Sequence, residues 1–371
     1  MNITAKELNT IQACRYCPMC RQSCPSEFIN YKESDTPRGR AMLLYSVYKG
    51  GKPFEASTVE AMYNCFLCGA CKSWCEGQEL GGYDIPELVK FARRDIVDQG
   101  LAPQIVQDIR NSLLVHDNTQ ALDKSHAFTA TVEEKRADVL YLLGEGVDYR
   151  YPEIARAFVQ ILQTAGVDHT LLKSEPNSGK ELDLLGYRDD AKEKASALIN
   201  RIQATGCRTV VVSDPLVYDA FKNDYEQWGI TLEAEVLHVS EYLLRLIQGG
   251  KLRLKPVDFT VTLADSEFLG RFNGLYEIPR AVIQSFNPVQ FVEMQWHHGY
   301  MQSTGEAAFT FDDKAFGRGK DLGEKISTKA EEAGAEIIVV LSVTAKQHIS
   351  ATTSLKVVDI VEFVNEHIDI F

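Results

Sequence analysis

Apolar positions recur at two different periods along the chain, and the change of period divides it near residue 137. Before that point the pattern is helical. Gly39-Arg40-Ala41-Met42-Leu43-Leu44-Tyr45-Ser46-Val47-Tyr48 is apolar at helical spacing, and Gly50-Gly51 supplies a stop. Thr58 to Tyr63 predicts a second, short helix. Pro86 opens another that runs through Asp98 with Gly100 just past its end, and a further helix is expected around Pro103 to His116, followed by a polar connection.

From Ala137 strands and helices alternate. Val139-Leu140-Tyr141-Leu142-Leu143 predicts a strand, Pro152 to Thr164 a helix, Ala191 to Ala204 a helix, and Thr209-Val210-Val211-Val212 a strand. That alternation is the signature of α/β architecture. It then repeats in order. Tyr149-Arg150-Tyr151-Pro152-Glu153 is echoed by Leu269-Gly270-Arg271 and Tyr276-Glu277-Ile278-Pro279-Arg280, Ser178-Gly179 by Thr304-Gly305, and Thr209–Val212 by Ile337–Leu341. The fold class expected is a helical domain over residues 1–120, then an α/β region of two repeated units over 137–250 and 257–371, arranged as a pseudo-twofold pair.

A length of 371 residues agrees with two or three domains. The net charge of -13 is unevenly placed: residues 1–100 hold 12 of 39 Lys+Arg and 12 of 52 Asp+Glu, leaving 27 against 40 beyond. An acidic C-terminal surface repels phosphate backbones and anionic lipid heads, so nucleic acid is not an expected partner. The start, Met1 to Glu7, lacks the charged-then-apolar pattern of an export signal. The longest apolar stretches, such as Ile337–Leu341, fall far short of the roughly 20 residues of a membrane span. A cytoplasmic chain without a transmembrane segment is therefore expected. In that reducing compartment nine cysteines favour metal binding or catalysis over disulfides.

Eight of the nine form two runs of identical spacing, Cys14, Cys17, Cys20, Cys24 and Cys65, Cys68, Cys71, Cys75, each C-x2-C-x2-C-x3-C. Three thiolates two residues apart can wrap three iron corners of one cubane, while the fourth points elsewhere and, in chains with two such runs, ligates the other cluster. Two [4Fe–4S] clusters are thus expected, one on Cys14, Cys17, Cys20 and Cys75, the other on Cys65, Cys68, Cys71 and Cys24. Zinc, the alternative, prefers two separated cysteine pairs. Pro25 ends the first loop, and Gly69 lets backbone N–H groups approach the sulfides. Phe66, Leu67 and Trp74 are expected to keep water off the second cluster, and Arg15, Arg21, Arg38 and Arg40 are candidates for raising a cluster's potential. The helices between and after the runs make this a ferredoxin-like domain without the short strands of small bacterial ferredoxins.

Nearly the whole chain resembles a family of iron–sulfur proteins that includes the glycolate oxidase iron–sulfur subunit and the corresponding subunits of anaerobic glycerol-3-phosphate dehydrogenase and heterodisulfide reductase. The resemblance rests on the two cysteine runs, on Pro37-Arg38-Gly39-Arg40, on Phe221-Lys222-Asn223-Asp224-Tyr225 and on Val236-Leu237-His238-Val239-Ser240-Glu241-Tyr242-Leu243-Leu244. In that family each C-terminal unit carries a Cys-Cys-Gly motif that supplies metal or cluster ligands. Here the corresponding positions hold Glu145, Asn177, Ser178, Asp214 and Val217 in the first unit and Glu267, Ser303, Thr304, Val343 and Lys346 in the second. A third iron–sulfur centre and a disulfide-reducing site are therefore expected to be missing. Glu76 follows Cys75 where the family usually has proline. The resemblance implies a protein that relays single electrons from an FAD-containing dehydrogenase of 2-hydroxyacid or polyol type to a downstream acceptor, with further electron-transfer subunits. A catalytic disulfide reductase, or a scaffold whose clusters are mainly structural, are the alternatives.

Other features carry less. Cys207, alone at the start of a strand, reads as a small buried hydrophobe. His297-His298 on an extended segment should point to opposite faces and not reach one ion together. Asp214 with Glu145 and Glu267 is a candidate oxygen-ligand site. Gly144-Glu145-Gly146 lacks the third glycine of a dinucleotide fingerprint. No catalytic nucleophile is read from the sequence.

Overall fold

The computed structural model describes residues 3–14, 17–75, 84–287, 289–307 and 318–369. The N-terminal region is helical: α1 (Ala5–Ala13), α2 (Pro25–Asn30), α3 (Pro37–Tyr48), α4 (Ala56–Tyr63), α5 (Ala70–Ser73), α6 (Ile85–Asp98) and α7 (Gln104–His116). The start of α3 shows why this sequence folds as it does. Thr36 Oγ1 accepts from Gly39 N at 3.0 Å and Pro37 sits in the first turn, where a missing N–H costs nothing. A Cβ at Gly39 would lie 1.9 Å from Glu33 O, so only glycine lets the short turn Glu33–Asp35 press onto the helix. That contact fixes the rotation of α3 and turns Arg40 inward.

The α/β region holds two parallel sheets of identical topology. The first, β1 (Val139–Leu142), α8 (Pro152–Thr164), β2 (His169–Leu171), α9 (Lys180–Leu185), α10 (Arg188–Thr205), β3 (Thr209–Val212), α11 (Pro215–Asp219), β4 (Glu235–His238) and α12 (Val239–Gln248), has strand order β2-β1-β3-β4. The second, β5 (Thr260–Leu263), α13 (Glu277–Gln284), β6 (Gln290–Phe291), α14 (Arg318–Glu332), β7 (Ile337–Val340), α15 (Val343–Ser350), β8 (Lys356–Asp359) and α16 (Ile360–Glu366), has order β6-β5-β7-β8. Central strands buried on both faces explain the continuous apolar runs, as in Ile337-Ile338-Val339-Val340. Strand β1 stops one residue before the apolar run does. The reason is Glu175, whose carboxylate accepts from Leu143 N at 2.8 Å and Gly144 N at 3.0 Å and takes those donors off the ladder. Helix α10 starts three residues before the predicted Ala191.

The two sheets share one core, in which Phe158 and Ile161 of the first unit and Phe286 and Phe363 of the second are all buried. A second core joins Ile11, Leu44, Met62 and Val89 of the helical region to Leu182, Leu185 and Phe268 of the α/β region. Buried charges cross the same boundary: Asp183 pairs with Arg94 at 2.9 Å and with Lys90 at 3.4 Å. No helix among the described residues is long and apolar enough to cross a membrane.

Glu175 carries a testable consequence. Burial, then the nearby Asp148, pushes its carboxyl up to about 8. An acid whose pKa is raised by folding gives full stability below its unfolded value and loses it as pH rises through the folded value. Glu175→Gln should lower stability at pH 5, because an amide faces two N–H donors with only one acceptor, yet flatten the decline between pH 5 and pH 9. Denaturant midpoints at the two pH values check this; an unchanged slope would count against it.

Candidate functional site

The second cysteine run is a loop bent twice. Leu67 and Gly69 adopt left-handed backbone, φ 52° and 74°, which turns Cys65 and Cys68 toward one side before Cys71 enters α5. Asn64 ties the loop down, donating to Asp35 Oδ2 at 3.0 Å and accepting at its carbonyl from Ser26 Oγ at 2.6 Å. Cys24, at the N-cap of α2, joins this group: Cys24, Cys65, Cys68 and Cys71 together line one enclosed cavity with Arg40 and Phe66. Leu322 of α14 packs over the loop with Phe66 and Ala70.

Burial pushes the Cys68 thiol up to about 12, and raises those of Cys24 and Cys71 as well. Such thiols hold their protons until a cationic centre takes the sulfurs, and loading then releases them. Spacing tests which centre fits. Zinc at Zn–S bonds of about 2.3 Å brings its sulfurs to roughly 3.8 Å from one another. Among the described residues no three cysteine sulfurs lie within 4.8 Å of one another. Four thiols around a wider hollow suit the separate iron corners of a cubane.

The first group is more open. Cys14 caps α1 and is half-buried, as are Cys20 and Cys75, while Cys17 is exposed. Burial, then the surrounding thiols of Cys24, Cys14, Cys17 and Cys75, pushes Cys20 up to about 12, so Cys75 shares the neighbourhood of the first run. Trp74 belongs here too. It packs against Trp296 at 4.8 Å and edge-on against Tyr300 at 5.0 Å and lines a cavity with Cys75, whereas only Phe66 and Leu67 are buried at the second group, where all three were expected. Arg15 and Glu76 lie outside the described residues. No disulfide joins any cysteine.

The arginines separate cleanly. Arg40 is 1% exposed, its Nη1 3.9 Å from Cys24 Sγ, and donates from Nε to Ala61 O at 2.7 Å and from Nη2 to Ser26 Oγ at 3.2 Å. Arg38 is engaged by Glu33 at 2.5 Å and Arg21 by Glu27 at 2.6 Å, both toward solvent. Two further cations at the second group escaped sequence reasoning. Buried Arg93 donates to Cys65 O at 2.7 Å, and Arg271 to Cys68 O at 2.8 Å. Arg93 left a signal, a charge on the apolar face of a predicted helix; Arg271, far along the chain, left none.

At the ten positions aligned with the cysteines of the resembling family, the polar side chains are all hydrogen-bonded or ion-paired. In the first unit Glu145 accepts from Thr119 N at 2.9 Å and Oγ1 at 2.5 Å, Asp214 caps α11 through Leu216 N at 2.8 Å, and Asn177 donates to Glu181 at 3.1 Å. In the second unit Glu267 Oε1 accepts from Ser303 Oγ at 2.5 Å, Thr304 N at 2.6 Å and Gly305 N at 3.0 Å, and Oε2 from Thr304 Oγ1 and Glu306 N, both at 3.1 Å. Lys346 pairs with Glu362 at 2.6 Å, and Val343 packs against Gly146, where a Cβ would meet it at 2.9 Å. The candidate oxygen-ligand site of Glu145, Asp214 and Glu267 is therefore corrected: their oxygens do not converge, because the Glu267 carboxylate is wrapped by its own loop.

The histidine pair also departs from expectation. His298 is left-handed at φ 55°, which folds its ring back so that the two Nδ1 atoms stand 2.5 Å apart, with Glu293 beside them. The alternation rule assumed extended backbone, and this residue is not extended. Cys207 is half-buried and packs on the core of the first unit.

Residues 13–78 match the 4Fe-4S dicluster domain, which makes this an iron–sulfur protein with two [4Fe–4S] sites in its cysteine runs. Over a longer stretch the chain matches a family of iron–sulfur oxidoreductase subunits. It is 29% identical to the probable iron-sulfur-binding oxidoreductase FadF of Bacillus subtilis over 65% of this chain, and spans 36% of that protein's length. It is 26% identical to one of the subunits of the dihydromethanophenazine:CoB--CoM heterodisulfide reductase of Methanosarcina barkeri, over 98% of this chain and 96% of that one. Among solved structures, a hypothetical protein from Helicobacter pylori shares the fold at TM-score 0.58 and 9% identity, over 98% of this chain and 73% of that one. The helical dicluster region followed by two similar parallel sheets is thus the fold class that the sequence pattern predicts, and its general role is that of an iron–sulfur oxidoreductase or electron-transfer subunit.

Proposed function

We propose that the chain relays single electrons between an FAD-containing dehydrogenase subunit, of 2-hydroxyacid or polyol type, and a downstream acceptor within a complex. Cys14, Cys17, Cys20 and Cys75 hold one cluster and Cys65, Cys68, Cys71 and Cys24 the other. The clusters supply one-electron storage at two adjacent points, and the chain supplies placement and tuning. The observation that carries this reading is the contrast between the two groups: one half-open, beside an aromatic cavity, the other buried among Arg40, Arg93 and Arg271. Buried positive charge stabilises a reduced centre, so electrons entering at the open group fall toward the buried one. The α/β units, without thiols at the family's ligand positions, act as the platform that seats the partner.

Likeness to a heterodisulfide reductase subunit over almost the whole chain supports a second reading, a catalytic disulfide-reducing protein. Against it stand Glu267 and Glu145, whose carboxylates occupy thiol positions and are already hydrogen-bonded. Purifying the native complex decides between them. A co-purifying flavoprotein whose substrate bleaches both clusters supports the relay. Disulfide cleavage without a flavoprotein would establish the second reading, and clusters that no partner reduces would leave a scaffold.

Tuning by Arg40 gives a prediction of its own. A unit charge about 6 Å away at an effective dielectric of about 20 is worth about 3 kcal/mol, or on the order of 100 mV for one electron. Arg40→Met should lower the potential of the buried cluster by that order while Arg40→Lys, which keeps the charge, shifts it far less. Redox titration followed by electron paramagnetic resonance reads both; equal shifts in the two variants would mean that packing, not charge, sets the potential.

A further inference from the structure

Glu293, His297 and His298 lie on the segment that leads from β6 into the 3-10 turn His298–Tyr300, far along the chain from both cysteine runs but packed beside α5. One nitrogen of each imidazole and one carboxylate oxygen fall within 4.8 Å of one another, and no other trio of His, Cys, Asp or Glu among the described residues does so. The two Nδ1 atoms face each other at 2.5 Å, and a shared zinc at about 2.0–2.1 Å from each would part them to roughly 3.3 Å. Two of the three, His298 and Glu293, are held from behind. His298 Nε2 lies 2.7 Å from Glu277 Oε1. A carboxylate only accepts, so Nε2 donates there and Nδ1 is the ring nitrogen left to face the trio. That is how a carboxylate orients a metal-bound imidazole. Asp265 accepts from His298 N at 2.7 Å and so holds the left-handed turn. Buried Arg280 clamps Asp265 at 2.7 and 2.8 Å and Glu293 at 2.7 and 3.0 Å, which fixes the Glu293 carboxylate and leaves each oxygen a second lone pair.

We propose that Glu293, His297 and His298 bind a divalent transition-metal ion. Two imidazoles and one carboxylate are the donor set that zinc accepts in three-ligand sites, with a further position open to an exogenous ligand. His297 also lines a cavity of about 530 Å³ with Trp74, Cys75, Trp296 and Tyr300, so a ligand completing the coordination would sit beside the open cysteine group. The site does not depend on the relay reading, since none of its ligands is a cluster cysteine.

The test uses the full chain with its iron in place, cleared of loose metal by a chelator and titrated anaerobically with Zn²⁺ against a chromophoric competitor. One zinc per chain should bind with about eight irons retained. His298→Ala and Glu293→Gln should each abolish saturable uptake at micromolar zinc, and Glu277→Gln should weaken it about 10-fold. Far-UV circular dichroism and iron content should stay unchanged. Zinc uptake that persists in both ligand variants, uptake that displaces iron in proportion, or no saturable uptake at all would overturn the proposal.

Discussion

Replacing Cys24 by alanine should cut the iron content from about eight atoms per chain to about four, and the four lost should be those held by Cys65, Cys68 and Cys71. By position in the chain Cys24 belongs to the first run, only four residues from Cys20. In space it faces the cavity of the second run, with the Arg40 guanidinium against its sulfur. Removing it takes one of four ligands from a buried cluster that no water or other described thiol can replace, and leaves Arg40 facing an apolar methyl group. Double variants tell the clusters apart, because losses within one unit do not add. Cys24→Ala with Cys65→Ala should cost no more iron than either alone. Cys24→Ala with Cys14→Ala should remove nearly all of it. The reverse pattern would place Cys24 in the first cluster.

Much of this was legible in the sequence, for physical reasons that also mark where reading stops. Metal ligands at fixed short spacing leave a local record, so the two runs and the loss of the family's other cysteines could be read directly. Buried parallel strands leave apolar runs, hence the two repeated units. What stayed hidden depends on contacts between distant segments or on backbone that breaks a local rule. Arg271 reaches Cys68 across 203 residues of chain. His298 turns back on His297 because one residue is left-handed, and no propensity for a histidine at φ 55° announces it. Trp74 lies next to Cys75 in sequence but is drawn off by Trp296. That ten positions lack the thiols the resemblance implies was legible, but not that Glu267, at one of them, gathers five donors of residues 303–306.

That network makes Glu267→Ala the most damaging substitution expected outside the cysteines. The Glu267 side chain is buried and accepts from three backbone N–H groups and two hydroxyls of residues 303–306. Alanine would take the carboxylate from all five donors in a site closed to solvent, leaving Gly305 N only its bond to Ser303 Oγ at 3.1 Å, and each unsatisfied donor costs about 1–3 kcal/mol. Partial rearrangement and entry of water bring the expected loss to about 3–5 kcal/mol, the range seen when one partner of a buried charged interaction is removed. Iron content should nonetheless stay at about eight per chain, because neither cluster uses Glu267. A second readout separates this from simple unfolding. Burial, then the Glu267 charge, raises the carboxyl of neighbouring Glu306 well above its ordinary value, and the Glu267 charge is also felt at Cys68. Glu267→Gln keeps the shape and removes that charge, so the potential of the buried cluster should rise, opposite in sign to the shift in Arg40→Met. A fall in that potential, or loss of iron in Glu267→Ala while the chain remains folded, would mean that the residue serves the cluster and not the loop.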